Sequence, residues 1–114
     1  MTINTVAIGG RLGAKPMLSE FPNGDVVTHF AIAHSRYVGP GKYETDWHNC
    51  EAKSHVAQRL CELAMKGQGI TVQGKLRVKT FDDTAKGVKV VVVDIIVLEF
   101  ALGELPRQSD QKSD

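Results

Sequence analysis

The chain is expected to fold as one all-β domain, a small closed barrel of five strands with a single helix. Three observations predict it. Five segments read as strands, the first and fourth alternating apolar and polar residues with the period of two that a strand imposes. Only residues 54–66 show the period of a helix. The 114 residues, 42% hydrophobic and 24% charged, suit one globular domain and leave no room for a second core.

Each element follows from local chemistry. Val6, Ile8, Gly10 and Leu12 alternate with Thr5, Ala7, Gly9 and Arg11 in the first strand, which Gly13 and Pro16 end. Phe21-Pro22-Asn23-Gly24-Asp25 is a turn, because Asn-Gly readily supplies positive φ. A second strand spans Val26 to Tyr37, Gly39-Pro40-Gly41-Lys42 forms a hairpin tip, and Tyr43 to Lys53 is the third strand. From Ser54 to Lys66, Val56, Leu60, Leu63 and Ala64 share a helical face with Ala57 beside them, with Ser54 as N-cap and Gly67 as the stop. Ile70, Val72, Gly74, Leu76 and Val78 then alternate with Thr71, Gln73, Lys75, Arg77 and Lys79 in the fourth strand. Asp82 to Gly87 turns the chain into the last strand, Val88 to Phe100. This strand is apolar on both faces, as if lying between the core and a partner subunit; Val91, Val93 and Ile95 would form that outer surface.

The order β-β-β-α-β-β is that of the OB-fold, a five-stranded Greek-key barrel with its helix between strands 3 and 4 that binds oligonucleotides or oligosaccharides. The domain is set at residues 1–103. Residues 104–114, with Pro106, two serines and alternating charge, read as a short disordered tail.

Several function classes are excluded. Cys50 and Cys61 are too few and too irregularly spaced for a zinc site or a disulfide framework, and read as small buried hydrophobes in a reducing compartment. The first residues lack the basic and apolar regions of a leader. The longest apolar stretch, Val90 to Phe100, is broken by Asp94 and Glu99, so no membrane association and a cytoplasmic location are expected. His29, His34, His48 and His55 are scattered, and neither a nucleophilic triad nor a phosphate-cradling loop is present. Gly9-Gly10-Arg11-Leu12-Gly13 lacks the spacing of a nucleotide-binding loop, and its glycines serve strand coiling and close packing. His48 reads as a hydrogen-bonding strand residue. No enzyme activity, metal or cofactor is expected.

The net charge of +1 does not advertise a nucleic-acid binder, so any electrostatic footprint depends on where the charges lie. Lys75, Arg77 and Lys79 share one face of the fourth strand at a spacing of ~6.6 Å, and Phe81 continues the same parity. A row of cations ending in an aromatic suits a single strand, which offers phosphates and unstacked bases. The competing reading is a solvated outer face, on which Phe81 is out of place. Tyr43 and Trp47 share parity on the third strand, and Tyr37 lies across the hairpin beside Arg36, with Lys42 at the tip. Phe30 and Phe100 fit apolar faces and read as core. For Trp47, burial and base stacking both stay open on residues alone.

The stretches Asn4-Thr5-Val6-Ala7-Ile8-Gly9-Gly10-Arg11-Leu12, Phe21-Pro22-Asn23-Gly24, Phe30-Ala31-Ile32-Ala33, Trp47-His48, and Lys66-Gly67 through Gly74-Lys75-Leu76-Arg77 to Phe81 resemble, in order and spacing, the bacterial single-stranded DNA-binding proteins. The resemblance covers residues 3 to 102. It implies an OB-fold, usually a homotetramer, that coats single-stranded DNA in replication, recombination and repair without catalysis. By position, Trp47 and Phe81 match base-stacking aromatics, and Lys66, Arg77 and Lys79 match phosphate contacts. Two positions depart from the family pattern. Its second-strand tryptophan falls at Val38, with Tyr37 adjacent as a substitute, and a phenylalanine six residues after the third-strand tryptophan is Lys53 here. Fewer stacking surfaces and an added cation imply weaker, more salt-sensitive binding.

The full expected set is Trp47, Phe81, Tyr37 and Tyr43 for bases, and Lys75, Arg77, Lys79, Lys66, Arg11, Lys53 and Arg36 for phosphates. The expected partners are single-stranded DNA and further copies of the chain, a tetramer before a dimer. The family's acidic tip is missing from Gln108–Asp114, which puts recruitment through such a tip in doubt. The protein would act in a bacterium or be encoded by a phage or mobile element. Two other readings fit the residues: a dimeric replication-restart accessory resembling primosomal protein N, and an OB-fold protein-interaction module that binds no nucleic acid. A cold-shock type is disfavoured, because no aromatic-rich K-G-F-G-F-type strand occurs.

Overall fold

The computed structural model describes residues 1–106; the rest of the expected tail lies outside them. Strands β1 (Val6–Leu12), β2 (Leu18–Glu20), β3 (Val26–Gly39) and β4 (Lys42–Lys53) precede the helix α1 (Ser54–Leu63), and β5 (Gly69–Asp83) and β6 (Val88–Leu102) follow it. The sheet runs β1-β5-β6-β4-β3 and closes from β3 back to β1. This is the predicted five-stranded barrel with one helix. β2 stands outside the ring, paired with Val26–Thr28 of β3. Three exposed residues are too few for a period of two to register, so the sequence pattern does not reveal it.

The ring is two well-paired sheets joined at two narrow places. β3 and β4 form one long hairpin, and β1, β5 and β6 form the other sheet. The joints are the parallel pairs Cys50–Ile95 and Glu51–Ile96 between β4 and β6, and the antiparallel pairs Arg11–Ala33 and Leu12–Ile32 between β1 and β3. Gly10 permits the second joint, since a Cβ there would overlap the Ala33 carbonyl oxygen.

Leu12, Phe30, Ile32, Cys50, Ile70, Val72, Ile95 and Val97 fill the interior, and α1 adds Ala57 and Leu60, with Ala64 just beyond its end. Ile32, Leu60 and Val72 are fully buried, each contributing ~1.5–3 kcal/mol. Leu63, expected on the same face, is instead 52% exposed. The reason is that α1 stops there: Ala64 is already extended at φ −85° and ψ 145°, short of the predicted stop at Gly67. Lys15 reaches across to this end, its Nζ donating to the Cys61 and Ala64 carbonyls at 3.0 and 2.9 Å, a cation where the helix dipole favours one. At the other end Ser54 is not the N-cap. It is the first helical residue, with φ 55°, while Lys53 occupies the cap position without a side-chain bond.

Past Gly74, which pairs with Val6 at the start of β1, β5 keeps only β6 as a neighbour, and beyond the Leu76–Ile95 pair, where β6 also parts from β4, the two continue as a two-stranded arm. Leu76 and Val78 therefore have no interior to fill and are 42% and 62% exposed, although the alternation placed them inside. Asn4 continues the β1 ladder by one step, its side chain accepting from the Leu76 amide and donating to the Leu76 carbonyl. Just before the arm, Gln73 pairs with Glu99 and Gly74 with Val97, so Leu98 is an extra residue in β6, a bulge. A Cβ on Gly74 would overlap the Ile96 carbonyl oxygen, so only glycine fits there. The bulge moves β6 from Ile95 and Val97 inward to Phe100 and Leu102 against the core. Ile95, expected with Val91 and Val93 on an outer surface, is thus core at 3% exposure, while those two valines are exposed.

Glu104 and Pro106, assigned to the tail by composition, touch the barrel: the Gly69 amide donates to the Glu104 carbonyl, and Pro106 lies against Gly67. Among the described residues no helix is long and apolar enough to cross a membrane.

Candidate nucleic-acid interface

Strand alternation and register put most of the candidate residues on one outer wall. Along β4, Tyr43, Thr45, Trp47, Asn49, Glu51 and Lys53 point the same way at ~6.6 Å intervals. Opposite them on β3 stand Tyr37, Ser35, Ala33, Ala31 and His29. Arg11 pairs with both Gly69 and Ala33, and Ala33 pairs with Trp47, so Arg11, Ala33 and Trp47 form one row across three strands. A groove of about 340 Å³ lies in this row, lined by Gly10, Arg11, Ala33, Ser35, Thr45 and Gly69.

Trp47 is 59% exposed, which closes the choice between core and surface. One edge of its ring rests on Gly13, where a Cβ would come within 2.7 Å of Cζ3. The absence of a side chain at residue 13 lets the indole lie down on the sheet with its remaining surface open. Tyr37 and Tyr43 meet edge to face at the hairpin end, centroids 5.7 Å apart. Arg11 Nη1 donates to the Gly67 carbonyl at 3.0 Å, which brings the Lys66-Gly67 loop to the rim of the same wall.

The cationic row of β5 faces this wall too. Arg77 pairs across the arm with Asp94 and reaches over β6 to Glu51 on β4, so its side of the arm and the Trp47 side of β4 are one surface. Phe81 is 52% exposed near the end of the arm. Arg36 is the candidate that the structure does not bring to this wall. It alternates with Tyr37 onto the opposite side of the hairpin, where it is bound to Asp46 at 2.8 Å and Glu44 at 3.1 Å. Asp46 in turn is held below the usual carboxylate range, chiefly by the hydrogen bond from Arg36.

Two residues of the wall, Glu51 and Asp94, are neither cations nor aromatics and so escape sequence reasoning built on those types. Glu51, 8% exposed, accepts Arg77 Nη1 at 3.1 Å and Nη2 at 3.2 Å, and lies 2.9 Å from His29 Nε2. Asp94 accepts Arg77 Nη2 at 3.0 Å. Lys53 and Lys79 stand farther off, 3.8 Å from Glu51 and 4.0 Å from Asp94. Burial alone would raise the Glu51 pKa; the hydrogen bonds from Arg77 and His29 and the nearby Arg77 and Lys53 charges outweigh it and hold the carboxyl at about 2. The available signal was a charge inside an apolar run: Glu51 sits between Cys50 and Ala52, and Asp94 interrupts the valines and isoleucines of β6. Such a charge needs a partner.

Burial, with the Asp94 charge, pushes the Cys50 thiol up to about 12, so it is no nucleophile. His48, expected to hydrogen bond, leaves its buried Nε2 without a partner among the described residues.

The model of the Single-strand binding protein family matches residues 3–102. The chain belongs to this family. It is 28% identical over 113 residues to Single-stranded DNA-binding protein 1 of Lactococcus lactis, a match covering 97% of this chain and 75% of the relative. The mitochondrial single-stranded DNA-binding protein of Drosophila melanogaster is 38% identical over 79 residues, 66% of this chain and 54% of that one. A Synechocystis single-stranded DNA-binding protein 1 is 29% identical over 87 residues, 76% of this chain and 72% of its own. Among solved structures, the Plasmodium falciparum SSB in complex with ssDNA superposes with a TM-score of 0.76 at 22% identity, covering 93% of this chain and 97% of that one. The single-strand binding protein fold is therefore shared at a distance where most side chains have changed.

Proposed function

We infer that the protein binds and coats single-stranded DNA without reading its sequence, in replication, recombination and repair, and that it does so without catalysis. One observation carries the reading: in a chain matching the single-strand binding family over residues 3–102, the barrel wall unites an exposed Trp47, a tyrosine pair and unsheltered cations. Bases stack on Trp47, Tyr37, Tyr43 and Phe81, each aromatic contact being worth ~1–3 kcal/mol for any base. Phosphates are met by Arg11, Lys66, Lys75, Lys79 and Lys53. Lys66 and Lys75 make no ion pair among the described residues. Arg36 and Arg77 are engaged with carboxylates and contribute less.

Trp47 is the only tryptophan, so its emission reports the site directly. Titration with oligo-thymidine at two salt concentrations should quench it, more strongly for single strands than for duplex and less strongly at high salt. No quenching by single strands would refute the reading.

The same proposal includes self-association, a tetramer before a dimer. The exposed valines of the arm and the unpaired side of β1 before Arg11 support it. Sedimentation at micromolar concentration should give a multiple of 12.4 kDa; a monomer would remove this part alone. A cytoplasmic site of action fits a DNA ligand and is tested by fractionation of the producing cell.

A further inference from the structure

The cations of the wall divide into two kinds. Both Arg77 amino groups are engaged, Nη1 with Glu51 and Nη2 with Glu51 and Asp94, all between 3.0 and 3.2 Å. These carboxylates are 8% and 16% exposed, so pulling Arg77 away would strip both of the guanidinium they share and leave them only His29 and the looser Lys53 and Lys79, an unfavourable change. Lys53 and Lys79 approach the same carboxylates only to 3.8 and 4.0 Å, and their side chains are 65% and 54% exposed on flexible stems. They can swing to a phosphate at little cost.

We propose that Glu51 and Asp94 act as internal stand-ins for phosphate, clamping Arg77 so that this cation is withheld from DNA and the affinity and salt dependence of the protein stay below what its cations would otherwise give. The inference rests on reading this wall as the DNA surface. It assigns a function to acidic residues there: they tune the grip, and they favour exchange along a strand over permanent attachment.

A double-mutant cycle on the full chain tests it, using oligo-thymidine binding followed by Trp47 emission across a salt series. Glu51→Gln should tighten binding at low salt and steepen the dependence of log affinity on log salt by about 0.7, the increment for one further phosphate contact on a single strand. The gain should vanish when Arg77→Gln is added, because Arg77 carries it. Asp94→Asn, at a more exposed position, should act in the same direction and serves if melting shows that Glu51→Gln does not fold. Glu62→Gln, on the exposed side of α1, removes the same charge outside the cluster and should leave the slope unchanged. The inference is overturned if the folded variants keep the wild-type slope, if the gain survives in the Arg77→Gln background, or if Glu62→Gln reproduces it. Absence of binding by the wild-type chain would instead sink the functional reading, and this inference with it.

Discussion

Trp47 and Gly13 are one device in two residues. Trp47→Ala should weaken oligo-thymidine binding by about 5- to 150-fold, the equivalent of ~1–3 kcal/mol of stacking. Gly13→Ala should give a smaller loss with the melting temperature little changed, because its Cβ meets the edge of a half-exposed ring that can tilt away. Chemical shifts of the Trp47 indole in the free protein would reveal the tilt. The residue scale also fixes an acid limit. The Glu51 pKa falls from 4.5 to about 2 on folding, a depressed carboxylate, so its contribution to stability is full above pH 4.5 and is lost as pH falls through the window down to about 2. Glu51→Gln should flatten the urea midpoint against pH in that window, and an unchanged profile would argue against the assignment. At this scale the sequence was half legible. Aromatics and cations announce a ligand by their type, but whether a cation is free depends on carboxylates that are distant in sequence. Arg77 and Glu51 are 26 residues apart.

Elements were more legible, because a period of two or 3.6 survives most local variation. The five barrel strands and the helix were all readable, while β2, the early end of α1 and the exit of the arm were not. β2 is too short for a period to register, and the exit of the arm is decided by where a neighbour begins. Leu76 and Val78 alternate perfectly well, yet β1 begins at Val6 and leaves nothing for them to pack on. Two substitutions test what holds these elements. Gly74→Ala should cost about 2 kcal/mol or more in chemical unfolding, since a Cβ would overlap the Ile96 carbonyl at the bulge. Lys15→Met should cost about 0.3–1 kcal/mol, removing the cation at the end of α1 while keeping the aliphatic stem.

For the whole molecule, the net charge of +1 was a poor guide because it averages over a wall where cations and carboxylates are interleaved. The salt slope should accordingly be smaller than seven candidate cations would produce at ~0.7 each, closer to the value for the five that are not clamped, and a salt titration measures it directly. The two narrow joints of the barrel lead further. Arg11 and Lys79 belong to the sheet of β1, β5 and β6, whereas Trp47 and the tyrosine pair belong to the β3–β4 hairpin. A nucleic-acid strand that gripped both sets would strap the halves together and link occupancy to barrel integrity thermodynamically. The ligand should raise the melting temperature and slow amide exchange at Gly13, whose N–H donates across the β1–β3 joint to the Ala31 carbonyl, ahead of amides inside either hairpin.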